Sequence, residues 1–467
     1  MKKLIALVLT AALLLSCCAA LAEAPEGYPE VIEGLDFGGR DVYFLDYWTG
    51  TEWYEDTKEK TDQEQAEYDY RMWLQDTYNV KIHNKAISDW GGNPTELINF
   101  AAAPDGSLRV FIIEPGSVVN MINKGIVHSW SNLGVDLTAE KWNKADLEWA
   151  SKGGEVYGVY AGKTEPRQML YFNKRILTEA GIDYETELYK AVEDGTWTWD
   201  RFTEMLEKIT KDVDNDGTID LWGMNGDHND LCYMSVFTNG AKFFDFDEDG
   251  KLQPVMEKDG KALEGLNWAY DIFHKYWHQP ADGAIWNWFV DDFKAGNAGF
   301  MMYQGYCGFG GDKQLEGMED WGMVPFPVHN AGDPYITIAQ DNIALIPDVY
   351  TDEEVKMIAQ LYDLWTNPTP GYEDESDNWI GDFLLRTDEN AVLLCYAMLR
   401  EPEHTVANLA FSLGQLNDVL GNPLTWHISW RTPAESFDAS RIAWQNMCNQ
   451  FNGDPLIEVP TEEAPAE

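Results

Sequence analysis

The feature that most restricts the fold is an alternation near the amino terminus. Asp41-Val42-Tyr43-Phe44-Leu45-Asp46-Tyr47-Trp48 is a short, mostly apolar run that reads as a buried strand ending in aromatics. Residues 64–78 follow with helical spacing, Tyr68, Met72 and Tyr78 standing among charges. Val80-Lys81-Ile82 reads as a second strand, Thr95 to Ala102 as a second helix, and Arg109 to Pro115 as a third strand. Strand, helix, strand, helix, strand is the pattern of an α/β protein with a parallel sheet, because the helices supply the crossovers. In such sheets ligands collect beyond the carboxyl ends of the strands. That rule places Trp48, Asp89, Trp90 and Glu114 near one rim.

Further along, Gly153-Gly154 reads as a turn before a strand through Tyr160, and Leu170 to Arg175 begins another element. Trp199 to about Thr210 reads as a helix with Phe202, Met205, Leu206 and Ile209 on one face and Thr198 as N-cap. Thr351-Asp352-Glu353-Glu354 is a capping box for a long helix through Trp365, and Asn367-Pro368 ends it. No internal repeat is visible.

The first residues read as an address. Lys2 and Lys3 precede an apolar run, Leu4 to Leu15, and Ala20-Leu21-Ala22 offers a small-x-small cleavage site before Glu23. The run is too short for the roughly 20 helical residues that span a bilayer. Residues 1–22 are therefore expected to be a secretory signal. Leu14-Leu15-Ser16-Cys17 also resembles a lipoprotein signal with Cys17 as the acylated residue, so free secretion and a lipid anchor both remain open. Either route places the protein outside the cytosol, in the periplasm if the cell has an outer membrane. Cys232, Cys307, Cys395 and Cys448 lie far apart without CxxC spacing, so disulfides and free thiols are both open.

The formal charge is −47, from 33 basic and 80 acidic residues. A nucleic-acid binder is excluded, because such proteins work by displacing counterions with Lys and Arg. An anionic membrane surface is disfavoured on the same ground. Hydrophobic residues make up 45 %, which separates this chain from acidic disordered ones. The 20 tryptophans and 22 tyrosines suggest, beyond core packing, a site that grips flat polar ligands.

Six segments, in order, resemble the extracellular solute-binding proteins of ABC importers, family 1, the maltose-binding-protein-like sugar branch. They are Gly154-Glu155-Val156-Tyr157-Gly158-Val159; Tyr171-Phe172-Asn173-Lys174 with Ala180-Gly181-Ile182; Thr198-Trp199-Asp200-Arg201-Phe202; Asp212 to Gly223; Phe293-Lys294-Ala295-Gly296-Asn297-Ala298; and Trp321-Gly322-Met323-Val324-Pro325-Phe326-Pro327. Asn297 departs from the family's usual Lys. The resemblance covers roughly residues 40–370. It implies a type II periplasmic-binding-protein-like fold: two α/β lobes, each a sheet flanked by helices, with a hinge between and the ligand held in the cleft. By analogy the chain crosses between lobes near Tyr160, Trp321 and Asn367. The expected N-terminal lobe takes 36–160 and 322–367, and the C-terminal lobe 161–321 and 368–457. The Pro/Glu-rich residues 458–467 are expected to be a disordered tail.

A sugar ring has apolar C–H faces and hydroxyl edges, so aromatic rings beside acids or amides are the pattern sought. Candidate ligand residues are Trp48, Asp89, Trp90, Glu114, Trp288, Tyr303, Gln304, Tyr306, Asp341 and Trp426. Trp199 and Trp321 are expected in the core. Asp212, Asp214, Asp216, Thr218 and Asp220 match the front of an EF-hand loop with Gly217 at its turn position, a pattern for a structural calcium ion. Gly223 stands where that loop has its bidentate Glu, so an acidic turn without metal is the other reading. Asp245 to Gly250 reads as a hairpin turn. No other cofactor is expected.

The expected function is carbohydrate capture by hinge closure, for mono- or oligosaccharides, without catalysis. The partners would be the importer's permease subunits, and the protein is expected to be a monomer. A secreted glycoside-active enzyme with an aromatic-rich cleft is the alternative. A surface adhesion module is a third.

Overall fold

The computed structural model describes residues 24–310, 314–318, 320–373 and 379–458. The expected export signal over 1–22, the acylation candidate Cys17, and residues 459–467 of the expected tail lie outside the described residues.

Nine strands build the two main sheets: β1 (Arg40–Asp46), β2 (Val80–Ala86), β3 (Leu108–Ile113), β4 (Val127–His128), β5 (Met169–Asn173), β6 (Trp222–Gly226), β7 (Ala298–Tyr303), β8 (Trp321–Pro325) and β9 (Ile343–Pro347). The first sheet is ordered β2-β1-β3-β9-β4 and the second β8-β5-β7-β6. The chain divides into two compact units. One comprises Met1–Ile112, Ser131–Asp136 and Ile346–Asp377; the other comprises Ile113–Trp130, Leu137–Leu345 and Asn378–Glu467. These bounds differ from the lobe bounds expected above: 113–130, 137–160 and 322–345 group with the second unit, and 368–377 with the first.

In the first unit β1 pairs in parallel with β2 and with β3, in the registers Asp46↔Ala86 and Leu45↔Phe111. All three strands therefore end at one edge, as the strand–helix alternation requires. The connecting helices are Asp62–Tyr78 and Asn93–Ala102. The first begins at a capping box in which Thr61 and Glu64 satisfy each other's backbone N–H groups, and its Tyr70, Leu74 and Tyr78 are buried. The helix Asp352–Trp365 starts with the capping box foreseen at Thr351 and Glu354. The Tyr70 hydroxyl donates to the carbonyl of Leu364 at 2.7 Å, tying those two helices together.

In the second unit β7 runs parallel to β6 and antiparallel to β5, and β8 is antiparallel to β5. The ends of β6, β7 and β8 thus share one edge with the start of β5, with Tyr303 and Pro325 both opposite Met169. Gly226, at φ +127°, makes that edge possible, since a Cβ there would sit 2.1 Å from the Met302 carbonyl oxygen. The helix Trp199–Ile209 buries the face read from its spacing, Trp199, Phe202, Met205, Leu206 and Ile209. Each such side chain contributes about 1.5–3 kcal/mol of transfer free energy against the entropy of ordering it. Thr198 occupies the N-cap position, but its side chain makes no capping hydrogen bond. Trp199 and Trp321 are core residues. The four described cysteines are buried free thiols. The turn after Asp245 joins antiparallel strands Phe244–Phe246 and Leu252–Pro254, the expected hairpin.

Candidate functional site

The carboxyl edge of β1, β2 and β3 carries exposed aromatics on acid-stabilised turns. Asp46 ends β1, and its Oδ1 accepts the backbone N–H groups of Trp48 (3.1 Å) and Thr49 (2.9 Å). Asn84 Nδ2 donates to its Oδ2 at 3.2 Å. Asp46 is therefore a buried turn organiser, which leaves Trp48 outside with 54 % of its surface exposed. Asp89 is exposed beyond β2, and its Oδ1 accepts from Gly92 N at 2.8 Å. Its neighbour Trp90 is 60 % exposed. Glu114 follows β3 and is the N-cap residue of the helix Pro115–Asn123. Its carboxyl folds back to accept from the Ser117 hydroxyl. Burial raises its pKa, and hydrogen bonds from Ser117 and Gly116 oppose that rise.

The shared edge of the second unit's sheet is different in kind. Beyond β7, the Tyr303 and Tyr306 hydroxyls are 2.6 Å apart. Gln304 lies between them in sequence and accepts from Arg167 Nη1 at 2.9 Å. Arg167 precedes β5, and its Nη2 also pairs with Glu165 at 3.1 Å. Beyond β6, Asp227 caps the helix His228–Phe237, its Oδ1 taking Asn229 N at 2.9 Å and Asn229 Nδ2 at 2.8 Å. Asn229 in turn accepts from the Thr425 hydroxyl, which seats the segment before Trp426 against this edge. Asp230 is 3 % exposed. Its carboxyl hydrogen-bonds to Gln168, and Arg167 faces it. Burial, with repulsion from Asp227, raises the Asp230 pKa well above the ordinary carboxylate value. Burial likewise raises Asp227 and lowers His228. The Tyr303 pKa is raised, chiefly by burial.

An aromatic row extends outward from Tyr303. Phe289 meets it edge-to-face at 4.7 Å, and Trp286, 64 % exposed, meets Phe289 at 6.2 Å. Trp288 also meets Phe289 edge-on at 6.2 Å, and it stands edge-on to His278 at 5.6 Å. Trp426 is 39 % exposed. Asp341 lies in the interior, where Glu165 N donates to its Oδ1 at 3.2 Å.

The structure thus brings Tyr303, Gln304 and Tyr306 together, with Trp426 adjoining through Thr425. It groups Trp48, Asp89 and Trp90 on the other sheet's edge. Asp341 belongs to neither surface, and Trp288 joins the Tyr303 row through Phe289. Asp227, Asn229 and Asp230 went unmarked in the sequence. Their signal was a polar tetrad, Asp227-His228-Asn229-Asp230, directly after a strand whose terminal Gly226 hinted at a close approach. In the acidic loop, carboxylate oxygens of Asp212, Asp214 and Asp216 converge within 4.8 Å of one another. Asp220 instead accepts from Val213 N at 2.7 Å, and Thr218 N donates to Asp216 at 2.7 Å.

A solved ABC substrate-binding protein, Lmo0181 from Listeria monocytogenes in complex with cycloalternan, superposes with a TM-score of 0.57 at 15 % identity, covering 89 % of this chain and 100 % of the other. The chain has the fold of the ABC substrate-binding proteins. UgpB from Mycobacterium tuberculosis, solved with glycerophosphocholine, shares this fold at a TM-score of 0.57 and 15 % identity, over 87 % of this chain and 98 % of that one. In sequence, an arabinooligosaccharide-binding protein of Halalkalibacterium halodurans is 28 % identical over 150 residues. That stretch is 32 % of this chain and 28 % of the relative's length. No family model matches. The type II α/β expectation, with a helix-flanked sheet in each unit, agrees with these likenesses. No described helix is long and apolar enough to cross a membrane.

Proposed function

We propose that this chain is the extracytoplasmic substrate-binding component of an ABC importer, and that it captures a mono- or oligosaccharide without transforming it. The observation that carries the reading is the second unit's sheet edge, where tyrosine rings stand among Arg167, Gln304, Asp227 and Asp230. Rings bury the C–H face of a sugar, and fixed polar groups pair its hydroxyls. The exposed Trp48 and Trp90 are stacking surfaces on the first unit's own sheet edge. Glycerophosphocholine, found with one protein of this fold, is a zwitterion with an anionic phosphodiester and a cationic ammonium. Here acids outnumber the cation: Glu165 pairs with Arg167 and Asp230 faces it, and the same guanidinium already serves Gln304. That balance favours a neutral, hydroxyl-rich ligand. Hinge closure, as the family resemblance implies, would let ligand contacts select the closed state for the permease. Export through residues 1–22, with Cys17 as an anchor or without one, belongs to the same reading, as does a monomeric state.

A thermal-shift screen of the protein from Glu23 onward against mono- and oligosaccharides tests this. A ligand at about a hundred times its Kd adds about 2.7 kcal/mol to stability. The expected result is a shift with one sugar class and recovery of that sugar intact. Cleaved sugar would establish the enzyme instead, and no shift with any sugar would remove carbohydrate as the ligand. The same protein tests the Asp212 loop. Three converging carboxylates support a calcium ion there, with Gly223 leaving the remaining ligand positions to backbone and water oxygens. Chelator should then lower the Tm; an unchanged Tm removes the ion.

A further inference from the structure

The loop between the helices Lys261–Tyr276 and Trp288–Ala295 belongs to the second unit's sheet edge by topology. After the first of these helices, Trp277 pairs in parallel with Met224 of β6, and His278 N donates to the Met224 carbonyl at 2.8 Å. The chain therefore leaves this pairing in the direction shared by β6 and β7, toward the edge that carries Asp227 and Tyr303. Residues 279–286 are all exposed. Gly283, at φ +79°, turns the loop back, and Ile285 and Trp286 give it an apolar end. Both side chains stand largely in water, so most of their transfer free energy goes unused by the fold.

Side chains tie the two roots of this loop together. His278 Nδ1 and Asp292 Oδ2 are 2.8 Å apart. A carboxylate can only accept, so Nδ1 carries the hydrogen whether the ring is neutral or charged. Asn225 Nδ2 donates to the same oxygen at 2.8 Å, and Asn297 Nδ2 donates to Oδ1 at 2.9 Å. Burial opposes ionisation of Asp292, but these three donors outweigh it and hold its pKa below the ordinary value. Trp222 stacks on the His278 ring at 5.5 Å with 8° between the planes, and Trp288 meets that ring edge-on at 5.6 Å. Asn225 Nδ2 also donates to the Phe289 carbonyl at 3.0 Å, which fixes the first turn of the helix after the loop. Phe289 in turn meets Trp286 at 6.2 Å and Tyr303 at 4.7 Å. A tied root beneath an exposed end makes an arm of set direction, and the order Tyr303, Phe289, Trp286 carries it outward along the edge.

We propose that residues 279–287 form a ligand-contacting arm in which Trp286 stacks on a sugar unit beyond the one at Tyr303 and Tyr306, and that His278 and Asp292 are the positioning residues that hold it there. This rests on the carbohydrate reading above and narrows it: the ligand is an oligosaccharide, not a single ring. Phe289 is only 2 % exposed and offers a ligand no face, so the unit at the tyrosine hydroxyls and the unit on Trp286 are separate units. An indole left in water beside an edge of hydroxyl partners suits the C–H face of a sugar. His278 acts through the arm rather than on the ligand.

The test is isothermal titration of wild type, Trp286→Ala, His278→Ala and His278→Asn with the sugar class found by thermal shift, supplied as the single unit and as longer chains. Wild type should bind the longer chain more tightly than the single unit. Trp286→Ala should weaken the longer chain about tenfold and leave the single unit unchanged. His278→Ala should show the same selective loss. His278→Asn, whose amide nitrogen can stand in for Nδ1 as donor to Asp292, should recover part of it. A damaged fold would weaken both lengths alike, so a loss confined to the longer chain separates positioning from stability. Trp286 is exposed, so Trp286→Ala carries the test even if the His278 variants do not fold. Equal wild-type affinity for both lengths, or an equal or absent loss on the two in Trp286→Ala, would overturn the arm and leave carbohydrate capture in place. An effect of Trp286→Ala without one of His278→Ala would remove the positioning role. No sugar bound by wild type would remove the carbohydrate reading, and the arm's role with it.

Discussion

The two sheet edges solve one problem in opposite ways. At the first unit's edge the acids serve the backbone: Asp46 braces a turn and Asp89 takes Gly92 N, so the tryptophans beside them stay exposed. At the second unit's edge the acids are buried and answered by side chains, with Arg167, Gln168 and Asn229 as partners. The first edge can lose an aromatic ring at little cost to folding. The second cannot lose a partner without stranding another group. Substitutions should therefore separate the edges, stability falling at one and ligand affinity at the other.

The largest expected effect is at Gly226. Gly226→Ala would force a methyl group against the Met302 carbonyl and break the register of β6 on β7. A loss of about 4 kcal/mol or more, or no folded protein, is expected. Urea unfolding checks this, and a variant within about 1 kcal/mol of wild type would show that the edge tolerates separation. Next is Arg167→Ala. It leaves Glu165 and Gln304 without their partner and removes the cation that faces Asp230 and Asp341. Removing one member of a largely buried charged set costs about 3–5 kcal/mol. If Arg167→Ala unfolds at the wild-type urea concentration, the second edge is no more integrated than the first.

The difference between the edges also explains what the sequence disclosed. Strands, helix faces and capping boxes were legible because each is a local pattern: alternation along 40–115, the buried face of Trp199–Ile209, Thr351 with Glu354. Trp48 and Trp90 were legible because a strand end in a parallel sheet has a known destination. The partnership of Arg167 with Gln304 was not. Those residues stand far apart in the chain, and only the antiparallel insertion of β5 beside β7 makes them neighbours. Asp341 drew notice as an acid before an apolar strand. That pattern is shared by residues at an open edge and residues folded inward, and only packing separates them. Trp286 and Trp288 stand two apart in sequence and both meet Phe289, while Trp288 packs on His278 as well.

A smaller and opposite signature belongs to the exposed tryptophans. Trp48→Ala and Trp90→Ala should each leave unfolding within about 0.5 kcal/mol of wild type, because surface rings contribute little to the fold. Each should weaken binding of the sugar found by thermal shift about tenfold, or about 1.4 kcal/mol. Isothermal titration beside urea unfolding reads both quantities. If affinity is unchanged in both variants, the first unit's edge is not a stacking surface, and ligand recognition rests on the second unit's edge.

The smallest effect tests whether Glu114 belongs with the exposed residues or with the buried ones. Its carboxyl is buried against its own helix, and burial raises its pKa. A raised carboxyl favours the folded state fully below the unfolded pKa, about 4.3, and loses that contribution as pH rises through the folded value. Glu114→Gln removes the titration while keeping an oxygen for the Ser117 hydroxyl. The stability of wild type relative to Glu114→Gln should therefore be greatest near pH 4 and decline toward pH 7, by an amount on the order of 1 kcal/mol or less. Urea unfolding of both proteins at four pH values between 4 and 7 is sufficient. A difference that stays constant would mean that Glu114 ionises in the folded protein as it does in the unfolded chain. Glu114 would then be an available anionic acceptor for a ligand hydroxyl, as its place after β3 first suggested. A declining difference instead makes it a helix cap held by burial, and leaves Trp48 and Trp90 as the ligand surface on that side.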